Sequence, residues 1–264
     1  MTTIDLNADL GEGITADGLS AAELDAALLD VISSANVACG GHAGDSESMS
    51  RVCRGAASRG VAIGAQVSYA DRAGFGRRAL DVDPKLLAQQ LFSQIETLRM
   101  HARVAGTDVL YLKPHGALYN TAAEDEVVAR AVVDAVLRDE SAGNLVLSVL
   151  TLPGCTLAHQ ASAAGLAVYA EAFGDRAYTS AGRLVPRTRD GAVIHDPLDV
   201  KARVMRMIRE HSITSIDGVD VTVVPDSICL HSDTEGALEL ARQVRESFAL
   251  QGITVTAFSA AGAR

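Results

Sequence analysis

The sequence predicts an α/β fold with a mainly parallel sheet, and three observations carry that expectation. Short apolar runs alternate with helical patterns from one end to the other, as in repeated βα units. At 264 residues the chain matches the roughly 250 residues that one barrel of such units needs, so a single domain over 1–264 is expected. A hydrophobic content of 48% with 21% charged residues supports a large core, and an aromatic content of 4% without Trp makes that core aliphatic.

The strand candidates, in order, are residues 4–9 (IDLNAD), 34–40 (SANVACG), 61–67 (VAIGAQV), 109–115 (VLYLKPH), 145–150 (LVLSVL), 166–173 (LAVYAEAF), 226–232 (DSICLHS) and 253–259 (ITVTAFS). Between the first two, Ser20 with Glu23 forms a capping box ahead of an apolar stripe of Leu24, Ala27, Leu28 and Val31. Asp83 and Pro84 open a second helix carrying Leu87, Leu91, Ile95 and Leu98 on one face. Further helices are expected over 125–138, 198–211 and 234–251. Seven or eight such units either close into a barrel or stay open as a doubly wound sheet, and periodicity does not separate the two.

Two stretches, 66–83 and 174–196, have no helical pattern and are long for connections in a compact domain, which marks them as functional or disordered. They contain Arg72, Arg77, Arg78, Arg176, Arg183, Arg187 and Arg189, a concentration of guanidinium groups in a chain of net charge −10. That net charge argues against a nucleic-acid partner and favours a small substrate or a protein partner. No G-x-G-x-x-G follows the first strand and no P-loop motif occurs, which weakens nucleotide-binding readings. Cys39, Cys53, Cys155 and Cys229 include no C-x-x-C pair and are expected as reduced core thiols. The N-terminal residues lack a basic region followed by an apolar run, and no segment has the length of a membrane span, so a cytoplasmic protein without membrane contact is expected.

Chemistry concentrates at strand ends. Asp5, Asn7 and Asp9 alternate with Ile4, Leu6 and Ala8, so the three polar groups share one face of the first strand. In a barrel that face is the interior, where carboxylates are costly unless they are paired or functional. The second strand runs through two glycines to His42 and Asp45, and the fourth ends in Lys113 and His115 with Pro114 between them. Glu171, Asp175 and Arg176 follow the sixth, and His231 and Asp233 the last but one. Catalytic groups of α/β folds gather at the carboxyl ends of strands, so these residues are expected around one mouth. Lys113 suits a cation that holds developing negative charge, and His115 a proton carrier.

The segments LNADLGEG, ANVACGGHAGD, GFGRR, LKPHGALYN, EAFGDRAYTSAGRLVPR and SICLHSDT, in this order, resemble the lactam-utilization protein family, the A subunits of bacterial ATP-dependent 5-oxoprolinase. The resemblance implies an irregular (β/α) barrel of about seven parallel strands, related to glycoside hydrolases and polysaccharide deacetylases. It also implies ring opening of 5-oxoproline to glutamate, coupled to ATP hydrolysis by a complex with two partner subunits. Lacking a P-loop, the chain is expected to leave ATP handling mainly to those partners. On this reading Asp9 or His42 is the base, with His115 an alternative proton carrier and Lys113 the electrostatic stabiliser. Asn7, Asp45, Gln66, Arg77, Glu171, Asp175, Arg176, His231 and Asp233 complete a substrate-binding set. Two departures stand out: the family's third strand ends IGAHPSY where this chain reads IGAQVSY, and its HGD motif is HSD here. A divalent-metal hydrolase using Asp9, His42, His115 and His231 is the alternative enzyme reading, and a non-catalytic docking subunit is the alternative of another class.

Overall fold

A computed structural model describes residues 2–231 and 236–259. Seven parallel strands close a barrel: β1 (Thr2–Leu10), β2 (Ser34–Ala38), β3 (Ala62–Val67), β4 (Val109–Pro114), β5 (Ser148–Thr151), β6 (Val168–Phe173) and β9 (Ser227–Leu230). Each pairs with the next in that order, and β9 returns to β1, with Asn7 opposite Cys229. Closure removes both sheet edges, which an open sheet would have to protect. The barrel is irregular because β9 is reached only after an excursion through α7 (Pro197–Glu210) and an antiparallel hairpin, β7 (Ser212–Thr214) and β8 (Asp220–Thr222), outside the barrel. The run at 253–259 supplies only β10 (Ile253–Val255), which adds in parallel to the N-terminal end of β1, against Thr2 to Ile4.

The helices α1 (Ala21–Leu29), α2 (Ser46–Arg59), α3 (Pro84–Val104), α4 (Gly116–Glu124), α5 (Glu126–Ser141), α6 (Thr156–Ala163) and α8 (Ala237–Leu250) supply the outer layer. Ser20 forms the expected capping box with Glu23, and Asp83 caps α3 through the amides of Lys85 and Leu86. Leu87, Leu91, Ile95 and Leu98 are all buried, as their spacing predicts. Helix α8 is described from Ala237, so the expected start at Thr234 lies outside the described residues.

Some elements differ from their sequence signals. The apolar run at 145–150 becomes a strand only from Ser148, where pairing with Tyr111 begins, and Leu145 and Val146 are exposed. An apolar run forms a strand only where a neighbour offers a ladder. Helix α4 begins directly after KPH, with the left-handed Gly116 (φ 59°) as its first residue, where no helix was expected. The two arginine-bearing stretches carry no helix, as expected.

Side chains from alternate strand positions fill the barrel. Tyr111 crosses its floor and donates from its hydroxyl to Asn36 Oδ1 at 2.7 Å. Gly64 makes room for that ring, since a Cβ there would lie 2.1 Å from Tyr111 Cε2. All four cysteines are free and buried.

Candidate active site

Asp5, Asn7 and Asp9 point into the barrel and are all buried. Deepest is Asp5, whose carboxylate accepts from Ser33 and Ser34 at 2.6 Å each and from Ser227. Burial outweighs these donors and raises its pKa to about 6. Asn7 accepts from Asn36 at 2.7 Å, and Asp9 accepts from the same amide at 2.9 Å.

Lys113 binds this polar column together. Its Nζ lies 2.7 Å from Glu171 Oε1, 3.2 Å from Asp9 Oδ1 and 3.4 Å from Asn7 Oδ1, with 3% of the side chain exposed. Burial alone would favour the neutral amine, yet the carboxylates of Asp9 and Glu171 hold its pKa well above the ordinary lysine value. Burial likewise works against the Asp9 carboxylate, and Lys113 overrides it, holding the Asp9 pKa below the usual carboxylate range. Asn7 and Glu171, expected to bind substrate, are fully buried supports of Lys113 and do not line the cavity above it. The reason is depth: their strand positions lie below the mouth, and Lys113 covers them.

A second cluster sits at the mouth. The imidazoles of His42 and His115 stack face to face, centroids 3.7 Å apart and planes within 6°. Glu12 Oε1, in the turn after β1, lies 3.0 Å from His42 Nε2 and 3.5 Å from His115 Nδ1. Phe75 meets both rings edge-on. Gly76, in the GFGRR segment, closes the back of the stack, where a Cβ would fall 2.8 Å from His42 Cβ. Burial pushes both histidines down to about 4, so each is neutral at pH 7.

The hydrogen bonds define the His115 tautomer. Its Nε2 lies 3.1 Å from the Phe75 carbonyl oxygen, which only accepts, so Nε2 carries the proton. Nδ1 is then an acceptor and takes the Gln66 side-chain N–H at 3.1 Å. Both nitrogens of His115 are therefore engaged. His42 is 2% exposed and lies behind Glu12 rather than on the cavity wall. Glu12, which touches the cavity, was not among the sequence candidates although it stands in LNADLGEG; the alternation of side chains stops where β1 ends, at Leu10.

The cavity over these groups has a volume of about 880 Å³. Arg77, Arg176, Arg183 and Arg187 reach its wall. Arg72 donates to the Gly44 carbonyl at 2.7 Å, Arg78 pairs with Asp71, and Arg189 lies 3.6 Å from Asp217. Arg176 also donates to the carbonyls of Val185 and Ala192, tying down the long loop that bears Arg183 and Arg187. On the far wall His231 stacks on Phe173 and holds Asp175 at 2.8 Å through Nδ1, so Asp175 orients His231 from beneath. Asp45 is corrected: it is exposed and caps α2, accepting the Ser48 amide at 2.8 Å, because a helix start needs an acceptor where the expectation saw a ligand. Asp233 and Ser232 lie outside the described residues.

Among the described residues, Glu12, His42 and His115 form the one group whose ligand atoms all lie within 4.8 Å of one another. Asp9 and His231, expected in a metal set, are instead engaged with Lys113 and Asp175. The three grouped atoms do not fit an ion as arranged. Imidazole lone pairs lie in the ring plane, so two stacked parallel rings do not aim at one point, and Gln66 already occupies His115 Nδ1.

Comparison with known proteins agrees with this barrel. A protein from Streptomyces avermitilis, named as the A subunit of 5-oxoprolinase, is 54% identical over 257 residues, 97% of this chain and 100% of that protein. The crystal structure of a lactam utilization protein from Thermus thermophilus superposes with a TM-score of 0.87 at 37% identity, over 97% of this chain and all of that one. A GH20 catalytic module of a pneumococcal exo-β-D-N-acetylglucosaminidase shares the fold alone, with a TM-score of 0.52 at 9% identity over 93% of this chain and 83% of that one. The LamB/YcsF family model matches residues 4–263, and the chain belongs to the LamB/YcsF family.

Proposed function

We propose that this chain is the lactam-opening subunit of an ATP-dependent 5-oxoprolinase, which hydrolyses 5-oxoproline to L-glutamate. The observation that carries the reading is a buried lysine, locked between Asp9 and Glu171, directly beside a Glu12–His42–His115 cluster in an arginine-lined cavity. The name of the Streptomyces relative supports it.

A five-membered lactam is an unreactive amide, and transfer of phosphate from ATP to its carbonyl oxygen would supply the missing electrophilicity. Two partner subunits are assigned that step, because the chain has no P-loop. In this chain Glu12 is the group placed to take a proton from the attacking water, as the water oxygen bonds to the ring carbonyl carbon. Asp9 is a poorer base, since Lys113 holds it ionised with a lowered pKa. His42, against Glu12, relays a proton to the ring nitrogen as the C–N bond breaks, which leaves an acyl phosphate that a second water hydrolyses to the glutamate carboxylate and inorganic phosphate. Lys113 offsets the negative charge gathered at the phosphorylated carbonyl oxygen, and the cavity arginines suit the substrate carboxylate or the phosphate.

The test is glutamate formation from 5-oxoproline and ATP by this chain alone, by its candidate partners alone and by the mixture. Turnover confined to the mixture is expected; turnover by the partners alone would remove this chain from the chemistry. A metal-dependent hydrolase is the second reading, favoured by the proximity of Glu12, His42 and His115. It requires the ring stack to open and Gln66 to release His115. Metal content near one equivalent in protein purified without chelator or added metal would support it.

A further inference from the structure

We infer that Gln66 Oε1 is the acceptor for the ring N–H of the lactam, so that this side chain selects an amide over an ester of the same shape. The inference rests on the function proposed above. Its physical basis is a hydrogen-bond count around one buried amide.

Gln66 is fully buried, yet it lines the cavity. Its orientation is set from outside itself. The Phe75 carbonyl requires the proton of His115 on Nε2, which leaves Nδ1 able only to accept, so the Gln66 NH₂ must face it. A flipped amide would set oxygen against a bare nitrogen lone pair. The other end of the amide, Oε1, is then left without a hydrogen-bond partner among the described residues. A buried acceptor without a donor costs about 1–3 kcal/mol, which a ligand N–H would recover.

Position strengthens the match. Gln66 and Lys113 are register partners on β3 and β4, so their side chains leave adjacent strands side by side on the inner face. A lactam ring holds its amide cis, so N–H and C=O point the same way. An N–H resting on Gln66 therefore delivers the carbonyl oxygen toward the field of Lys113.

The experiment uses the assembled complex and two ligands, 5-oxoproline and the γ-lactone of 2-hydroxyglutarate, in which oxygen replaces the ring N–H. Binding of each is measured by inhibition of, or participation in, ATP-dependent turnover. Wild type is expected to bind the lactam about 10-fold or more tightly than the lactone. In Gln66→Met the lactam should weaken by that factor while the lactone is unchanged, erasing the discrimination. A wild-type complex that binds both within twofold would overturn the inference without any variant, as would a folded Gln66→Met that keeps the wild-type ratio. Failure of the wild-type complex to bind or turn over 5-oxoproline at all would instead remove the functional reading, and this inference with it.

Discussion

Replacing Lys113 by Met removes the cation that the structure places between Asp9 and Glu171 and keeps a side chain of similar length. At 3.2 and 2.7 Å, with an effective dielectric constant near 20, the two contacts carry roughly 5 and 6 kcal/mol of gross attraction. The loss of stability is smaller, because the stranded carboxylates take up protons. For a carboxyl with the usual pKa of 3.8, protonation at pH 7 costs at most about 4 kcal/mol. The net destabilisation should therefore be about 3–5 kcal/mol, the range for a buried pair that loses one partner. A pH signature accompanies it. In the variant the folded-state carboxyl pKa lies above its unfolded value, so the deficit should shrink as pH falls, by about 1.4 kcal/mol per unit for each carboxyl involved. Urea denaturation of wild type and Lys113→Met at pH 7 and pH 5 measures both quantities. The double variant Lys113→Met with Asp9→Asn should recover much of the stability and none of the turnover. A loss under 1 kcal/mol at pH 7, or one that does not change with pH, would refute the picture of a dry ion cluster.

Other consequences are simpler to state. Glu12→Gln should lower kcat of the assembled complex by about 10²- to 10⁴-fold with little change in KM, and retention of a third of the activity would exclude Glu12 as the base. Asp45→Ala should cost about 1 kcal/mol by uncapping α2 and leave KM unchanged, whereas a raised KM would restore Asp45 to the substrate-binding set. His42 and His115 have folded-state pKa values near 4, below the 6.5 of an exposed imidazole. Their contribution, roughly 3 kcal/mol each, is present above pH 6.5 and lost as pH falls through 4. Asp5, raised to about 6, works in the opposite sense, its contribution being lost as pH rises through 6. Replacing both histidines by Asn should flatten the acid limb of a stability profile, and an unchanged slope between pH 6.5 and 4 would count against neutral buried rings.

Much of the site was legible because strand chemistry is local. The alternation of Asp5, Asn7 and Asp9 identified the inner face of β1, and Lys113, His115 and His231 stand at the strand ends where they were expected. The spacing of apolar residues identified α1 and α3, since helical periodicity needs no knowledge of what the helix packs against. What spacing does not contain is depth. Asn7 and Asp9 share a face two residues apart, yet only Asp9 reaches the cavity while Asn7 lies beneath Lys113.

By itself, then, the sequence determined the α/β class, the approximate chain positions of the barrel strands and the family, each written in short-range pattern or contiguous motif. Only the tertiary structure decided that seven strands close, through the return of β9 to β1 across more than two hundred residues. It also decided that Glu12 meets His42 and His115, that Asp45 turns away to cap a helix, and that Gln66 Oε1 is buried without a hydrogen-bond partner among the described residues. Each of these depends on register and closure between distant segments, which no local pattern encodes.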